Sequence, residues 1–274
     1  MDKNKARKIL VAAFCLSIGL FLFVELKSNL QNIKHELDDS APAENSGEEA
    51  YKNRFHTESP TNKTETDNRL WKAVERRDSY NNELQYYSRN NADIREGSVI
   101  ITTKKETIGN KAYSSGLVES TSAYKYGYFE FTIQVYEGKG LFPAIWLLPV
   151  SGESLPEIDI FEMIGSEPNV FYGVIHFEEN EIKDSDYFAH TVPEKELYTV
   201  ALDWKAEILA WYIDGKQAFT TNRGVPQEYM YIIINQAVGG DWPGHPDENT
   251  VFPCRFVIHE INIEHQFLKG RNYE

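Results

Sequence analysis

The chain has 274 residues, 41% of them hydrophobic and 13% aromatic, and carries a formal net charge of −14. Such a length and apolar share suffice for one large core, and all-β domains often reach this size. A surface this acidic excludes nucleic acid, whose phosphates it would repel, and favours a neutral or cationic partner.

Lys3, Lys5, Arg7 and Lys8 precede an apolar run from Ile9 to Val24. A positive segment followed by a hydrophobic one is a targeting or anchoring pattern. The run is short for a spanning helix, which needs ~20 residues. No small-x-small cleavage site follows closely, so residues 1–27 are expected to be an uncleaved N-terminal membrane anchor, with a cleaved signal as the alternative. Either reading places the rest outside the cytoplasm. Residues 28–67 are rich in Glu, Asn, Ser, Thr and Lys and poor in apolar side chains. They bury too little to offset the entropy of ordering, and read as a flexible linker, with a short helix possible over Leu30–Leu37.

From residue 68 to residue 274 the pattern is strands and turns. Strands are expected at Ser98–Thr103, Gly127–Tyr136, Phe142–Leu148, Val170–Phe177, Thr199–Trp204, Ile208–Ile213, Lys216–Thr221, Tyr229–Ala237 and Phe256–Ile263. Phe129, Phe131, Ile133 and Val135 alternate onto one face, and Asp214-Gly215 marks a hairpin turn. Trp204 and Trp211 are read as core. Many short strands with turn signals predict an all-β fold, a two-sheet β-sandwich. Cys15 and Cys254 are not expected to pair, and no Cys/His cluster has the spacing of a zinc site.

Glu157-Ile158-Asp159-Ile160-Phe161-Glu162 places three carboxylates within six residues, spaced by strand formers. Alternation puts Glu157 and Asp159 on one face. Glu162 has the wrong parity, and a bulge near Ile160 or Phe161 would return it to that face. Acids crowded so closely hold protons near neutrality. Glycoside cleavage needs one carboxylate and one carboxylic acid, which such a cluster supplies. The bland alternative is a solvated strand face.

The acid stretch resembles the E-I-D-I-x-E signature of family 16 of the glycoside hydrolases, laminarinase type. Four flanking blocks match in order: Asn81–Tyr87, Tyr126–Glu130, Gly138–Trp146 and Ala237–Gly244. The resemblance covers roughly Leu70 to Ile263. It implies a jelly roll with a concave substrate cleft, cutting internal bonds of a β-glucan, most simply β-1,3 linkages, with retention. Glu157 would be the nucleophile, Glu162 the general acid/base and Asp159 the helper between them. Asn82, Glu83, Trp146, His176 and Trp242 would contact sugar; on their own residues, Asn82 and Glu83 also read as a turn, and Trp146 as core. The alternatives are a transglycosylase or exopolysaccharide-trimming hydrolase, and a non-catalytic glycan-binding module. The expected partner is a polysaccharide, bound by a monomer.

No cofactor is expected. Relatives often hold a structural calcium, but His259 stands where an acidic ligand is usual, and imidazole suits calcium poorly. The chain also departs from the family pattern at Tyr128, where Arg is usual, at Phe142, where Trp is frequent, and at Ser154-Leu155-Pro156, where a Trp-containing loop is common. Tyr128 and Phe142 are expected to alter the outer sugar subsites.

Overall fold

The computed structural model describes residues 70–95 and 97–265. The anchor, the linker and Cys15 lie outside them. The strands are β1 (Trp71–Ala73), β2 (Gln85–Tyr87), β3 (Ala92–Arg95), β4 (Ser98–Thr103), β5 (Tyr113–Ser115) and β6 (Leu117–Tyr124). Next come β7 (Gly127–Gln134), β8 (Leu141–Pro149), β9 (Glu157–Met163), β10 (Val170–Glu179) and β11 (Ile182–Thr191). The last five are β12 (Tyr198–Trp204), β13 (Leu209–Ile213), β14 (Lys216–Thr221), β15 (Met230–Val238) and β16 (Cys254–Glu264).

Two seven-stranded antiparallel sheets stack face to face. One runs β1-β6-β15-β8-β9-β10-β11 and the other β14-β13-β12-β7-β16-β4-β3; β2 and β5 form a small parallel pair beside them. Alternation decides which side chains fill the space between. Phe129, Phe131 and Ile133 of β7 meet Ile158, Phe161 and Met163 of β9, all buried in one core. Phe161 is the hub: its ring stacks on Phe256 at 5.9 Å and meets Phe171 edge-on at 4.9 Å. Trp204 and Trp211 are fully buried, as expected. Asp214 and Gly215 take φ of 51° and 73°, the left-handed pair a type I′ hairpin requires.

Strands β6 and β11 do not stand out in the sequence. In β6 the run Glu119-Ser120-Thr121-Ser122 hides the alternation. Its pairing with β15 slips between Tyr231 and Ile233, and there the Ser120 hydroxyl accepts a bond from the Ile232 amide. β11 is the sheet edge and is half-exposed throughout, so its composition is polar. Asn180 and Glu181 turn the chain from β10 into β11 with φ of 53° and 65°.

One expectation is overturned. Tyr128 does not touch the acid-bearing sheet. It lies on β7, in the other sheet, and points opposite to the core-facing Phe129, onto the outer surface. Its hydroxyl donates to Glu130, and its ring meets Tyr212. Tyr128 therefore shapes no sugar subsite. His259 is on the same outer sheet, with Nε2 3.1 Å from Gln134 Oε1.

Candidate active site

β9 is flanked by β8 and β10, near the middle of its sheet. On the β10 side Glu157 faces His176 and Asp159 faces Val174, but Glu162 already faces Tyr172. Three residues of β9 thus span two of β10. On the β8 side Asp159 faces Trp146, and Phe161 faces the next residue, Ile145. β9 therefore carries one extra residue at Ile160-Phe161, the bulge its parity demanded, and both side chains drop into the core. Residues paired across a sheet share a face. Glu157, Asp159 and Glu162 consequently share one face with His176, Tyr172, Trp146 and Ala144.

The bulge is braced from below. Trp211, on β13 of the opposite sheet, crosses the core, and its Nε1–H donates to the Asp159 carbonyl at 2.9 Å. Gly173 stands opposite the bulge and makes room for this. A Cβ there would lie 2.8 Å from the Trp211 indole and closer still to Phe188. Trp211→Phe keeps an aromatic ring there but removes the donor, together with part of the indole's volume. It should lower kcat about tenfold with KM changed less than about twofold, because a buried carbonyl left unpaired shifts the strand that carries the acids. Steady-state kinetics and a melting curve check this; an unchanged kcat would make Trp211 a packing residue only.

The acids are desolvated and repel one another. Burial pushes Glu157 up to about 7. Burial, then the charge of Glu157, pushes Glu162 up to about 8. Asp159 is 3% exposed and is raised well above the carboxylate range, by burial first and then by Glu162 and Glu157. The three titrate as one cluster. Glu157 is the member raised by burial alone. His176 Nε2 lies 3.4 Å from Asp159 Oδ2. Burial pushes that imidazole down to about 4, so it faces Asp159 as a neutral ring rather than as half of an ion pair. Among the described residues Asp159 Oδ2 has no other partner, and as a protonated acid it can donate weakly to that nitrogen. Glu157, Asp159 and His176 offer ligand atoms within 4.8 Å of one another. A divalent cation could fit that set only by occupying the same two carboxyls.

The other expected site residues gather around this row. Trp146 is half-buried on the acid face, paired with Asp159 across the strands, and its Nε1–H donates to Asn235 Oδ1 at 2.7 Å, which fixes the ring. Trp242 meets Phe142 at 5.3 Å and Tyr172 at 4.9 Å, which places its loop over the Glu162 end. Asn81 and Asn82 take φ of 51° and 60°, so the turn reading of this pair holds. The turn also serves the site: Asn82 Nδ2 donates to Asp241 Oδ1 at 2.8 Å, and Glu83 bridges to Gly239. Gly239 has φ of 74° and its missing side chain leaves room for Leu84. Sequence reasoning missed Asn235 and Tyr87. The Asn235 Nδ2 donates to the Tyr87 hydroxyl, so one amide ties β2 to Trp146. Tyr87 closes the Asn81–Tyr87 block without standing out in it, and no local motif marks Asn235.

A jelly roll with bulge-aligned, proton-retaining carboxyls on one sheet face defines a glycoside hydrolase. The chain belongs to a particular group of these: the family model described as Glycosyl hydrolases family 16 matches residues 79–252. Among curated proteins it is 28% identical to a β-glucanase of Rhodothermus marinus, over 67% of this chain and 74% of that protein. It is 26% identical to the clotting factor G alpha subunit of Tachypleus tridentatus, over 67% of this chain but 29% of that longer protein. Among solved structures, the endo-β-1,3-glucanase from Pyrococcus furiosus superposes with a TM-score of 0.65 at 27% identity, covering 73% of this chain and 89% of that one.

Proposed function

We propose that this protein cleaves internal β-1,3 bonds of a β-glucan with retention of configuration. The observation that carries the reading is the single-faced row of Glu157, Asp159 and Glu162, all three buried and held above the usual carboxylate range. Glu157 attacks the anomeric carbon while Glu162 gives its proton to the departing glycosidic oxygen. In the second step Glu162, now a carboxylate, takes a proton from water, and that water displaces Glu157 from the sugar. Asp159 stays protonated between them, so it adds no charge that would oppose ionisation of Glu157. His176 and Trp146 flank the sugar at the cut bond. Trp242 offers a face on the other side of Glu162.

The β-1,3 linkage rests on the longer form of the acid motif. Its extra residue bends the strand under the scissile bond, and the Gly239–Gly244 loop stands beside it. A reducing-sugar assay on a panel of polysaccharides tests this. Linear β-1,3-glucan should be cut faster than mixed-linkage β-1,3-1,4-glucan, and cellulose should be untouched. Good cleavage of the mixed-linkage polymer with none of β-1,3-glucan would overturn the linkage.

The basic and apolar residues 1–27 support a further part of the proposal, that the domain is held at a membrane on its outer side. A protein lacking residues 1–67 should then be soluble, with unchanged activity on soluble substrate. Loss of folding on that deletion would show instead that the segment supplies a strand.

A further inference from the structure

Register extends the active-site row across the sheet: Asp159 faces Trp146, Trp146 faces Ile233, Ile233 faces Glu119 and Glu119 faces Lys72. Strands lie ~4.8 Å apart, so β15 is about 10 Å from the acids. A glycan lying across the strands therefore passes Trp146 and arrives at whatever covers β15 and β6. That cover is Tyr87, which packs on Leu117 and Ile233 and bonds Asn235.

Arg76 is fastened to Tyr87 by a pair of backbone hydrogen bonds of 2.9 and 3.0 Å. Its guanidinium sits between two rings, 5.2 Å from Tyr87 and 5.5 Å from Tyr80. It makes no ion pair among the described residues, and its buried Nε–H has no acceptor. Tyr80 is 65% exposed, a large ring with no burial role. Next to them Lys111 Nζ donates to the Glu83 carbonyl at 3.0 Å and to the Ser79 hydroxyl. The Glu83 carboxyl is engaged by Gln85 Nε2 at 2.6 Å, and Glu119 is paired with Lys72 at 3.0 Å. Glu83, which feels the charges of Arg76 and Lys111, and Glu119 thus each already have a partner.

We propose that Arg76, backed by Tyr80 and Lys111, forms an outer subsite for a carboxylate-bearing sugar of the substrate glycan, on the β15 side of the acids. The two rings hold the guanidinium and leave its terminal N–H groups for a planar anion, which they match with two parallel bonds. Tyr80 offers a face to the same sugar. A brace between β1 and β2 would need neither the exposed ring nor the unpaired fork. The subsite rests on the β-glucanase reading, and it makes the preferred glycan a substituted, acidic one despite the acidic surface elsewhere.

The test uses linear β-1,3-glucan and the same polymer sparsely oxidised to carboxylates at C6. Wild type should show a KM about tenfold lower for the oxidised polymer, since its carboxylates add a charge-assisted pair that the neutral polymer lacks. Arg76→Met should abolish that preference without changing kcat, and added salt should weaken it in wild type. Equal loss on both polymers would mean the ligand is a neutral hydroxyl. No loss on either would leave Arg76 a structural brace. Calorimetry of Glu157→Gln with a C6-oxidised β-1,3-gluco-oligosaccharide separates the two readings. If wild type cuts neither polymer but Glu157→Gln binds the oxidised oligosaccharide, and Arg76→Met added to it removes that binding, the subsite stands and the β-1,3 linkage falls. Absence of that binding sinks the subsite. If Arg76→Met fails to fold, Arg76→Lys, which keeps the charge without the fork, should show a partial loss of the preference; full retention would count against it.

Discussion

Glu157→Gln should lose at least about a thousandfold in kcat on β-glucan while melting as a folded protein, because amide oxygen is a poor nucleophile and no neighbour can replace it. Asp159 lies between the two glutamates but holds its own proton too firmly to substitute. The diagnostic experiment is rescue. Glu157→Ala leaves a space on the side of the sugar that the carboxylate would have attacked. Azide entering there, with Glu162 still present as acid, should yield a glycosyl azide of inverted configuration. Retention of more than a small fraction of turnover by Glu157→Gln, or no azide product from Glu157→Ala, would remove Glu157 from the nucleophile's role.

Glu162→Gln should separate catalysis from stability in opposite directions. It removes the proton donor, so turnover of glucan should fall by roughly a hundredfold to ten-thousandfold. An activated aryl glycoside needs no proton to depart, so its first step should be slowed far less, and a burst of aryl product should appear. Wild-type kcat/KM should rise as Glu157 ionises near 7 and fall as Glu162 loses its proton near 8, a narrow optimum between them. Stability follows from the same shift. Glu162 binds its proton more tightly when folded than when unfolded, where its value is 4.5. The stabilisation this gives is complete below 4.5 and is lost as pH climbs to about 8. A neutral glutamine avoids that loss. The variant should therefore melt higher than wild type at pH 8 to 9, by on the order of 1–2 kcal/mol, with the gap closing toward pH 4.5. Equal melting at both pH values would mean that Glu162 is solvated in the folded protein.

Much of this site is legible in the sequence because its parts are local. Three acids with apolar spacers state a strand, and period-two alternation states the face. The wrong parity of Glu162 states a bulge, which the register with β8 and β10 places at Ile160-Phe161. The Asp214-Gly215 turn and the alternating β7 follow from the same short-range rules. The Asn81-Asn82 pair is legible as a turn, but not as a tether to Asp241 on a loop 159 positions away.

The tertiary structure decided the rest, because it depends on which distant strands pair and on what is removed from water. Tyr128 sits in a block that matches the family, yet sheet order puts it on the outer surface. Trp211 is recognisable as core, but its N–H reaches the Asp159 carbonyl from 52 residues away and from the opposite sheet. Arg76 belongs to no motif; it acquires its place through Tyr87, which hangs on Asn235 of β15. Crowding of three acids is written in the chain, whereas how far their protons are held above the usual carboxylate range is set first by burial. Side-chain identity and spacing are properties of the chain, while desolvation and long-range pairing arise only when the two sheets close over the core.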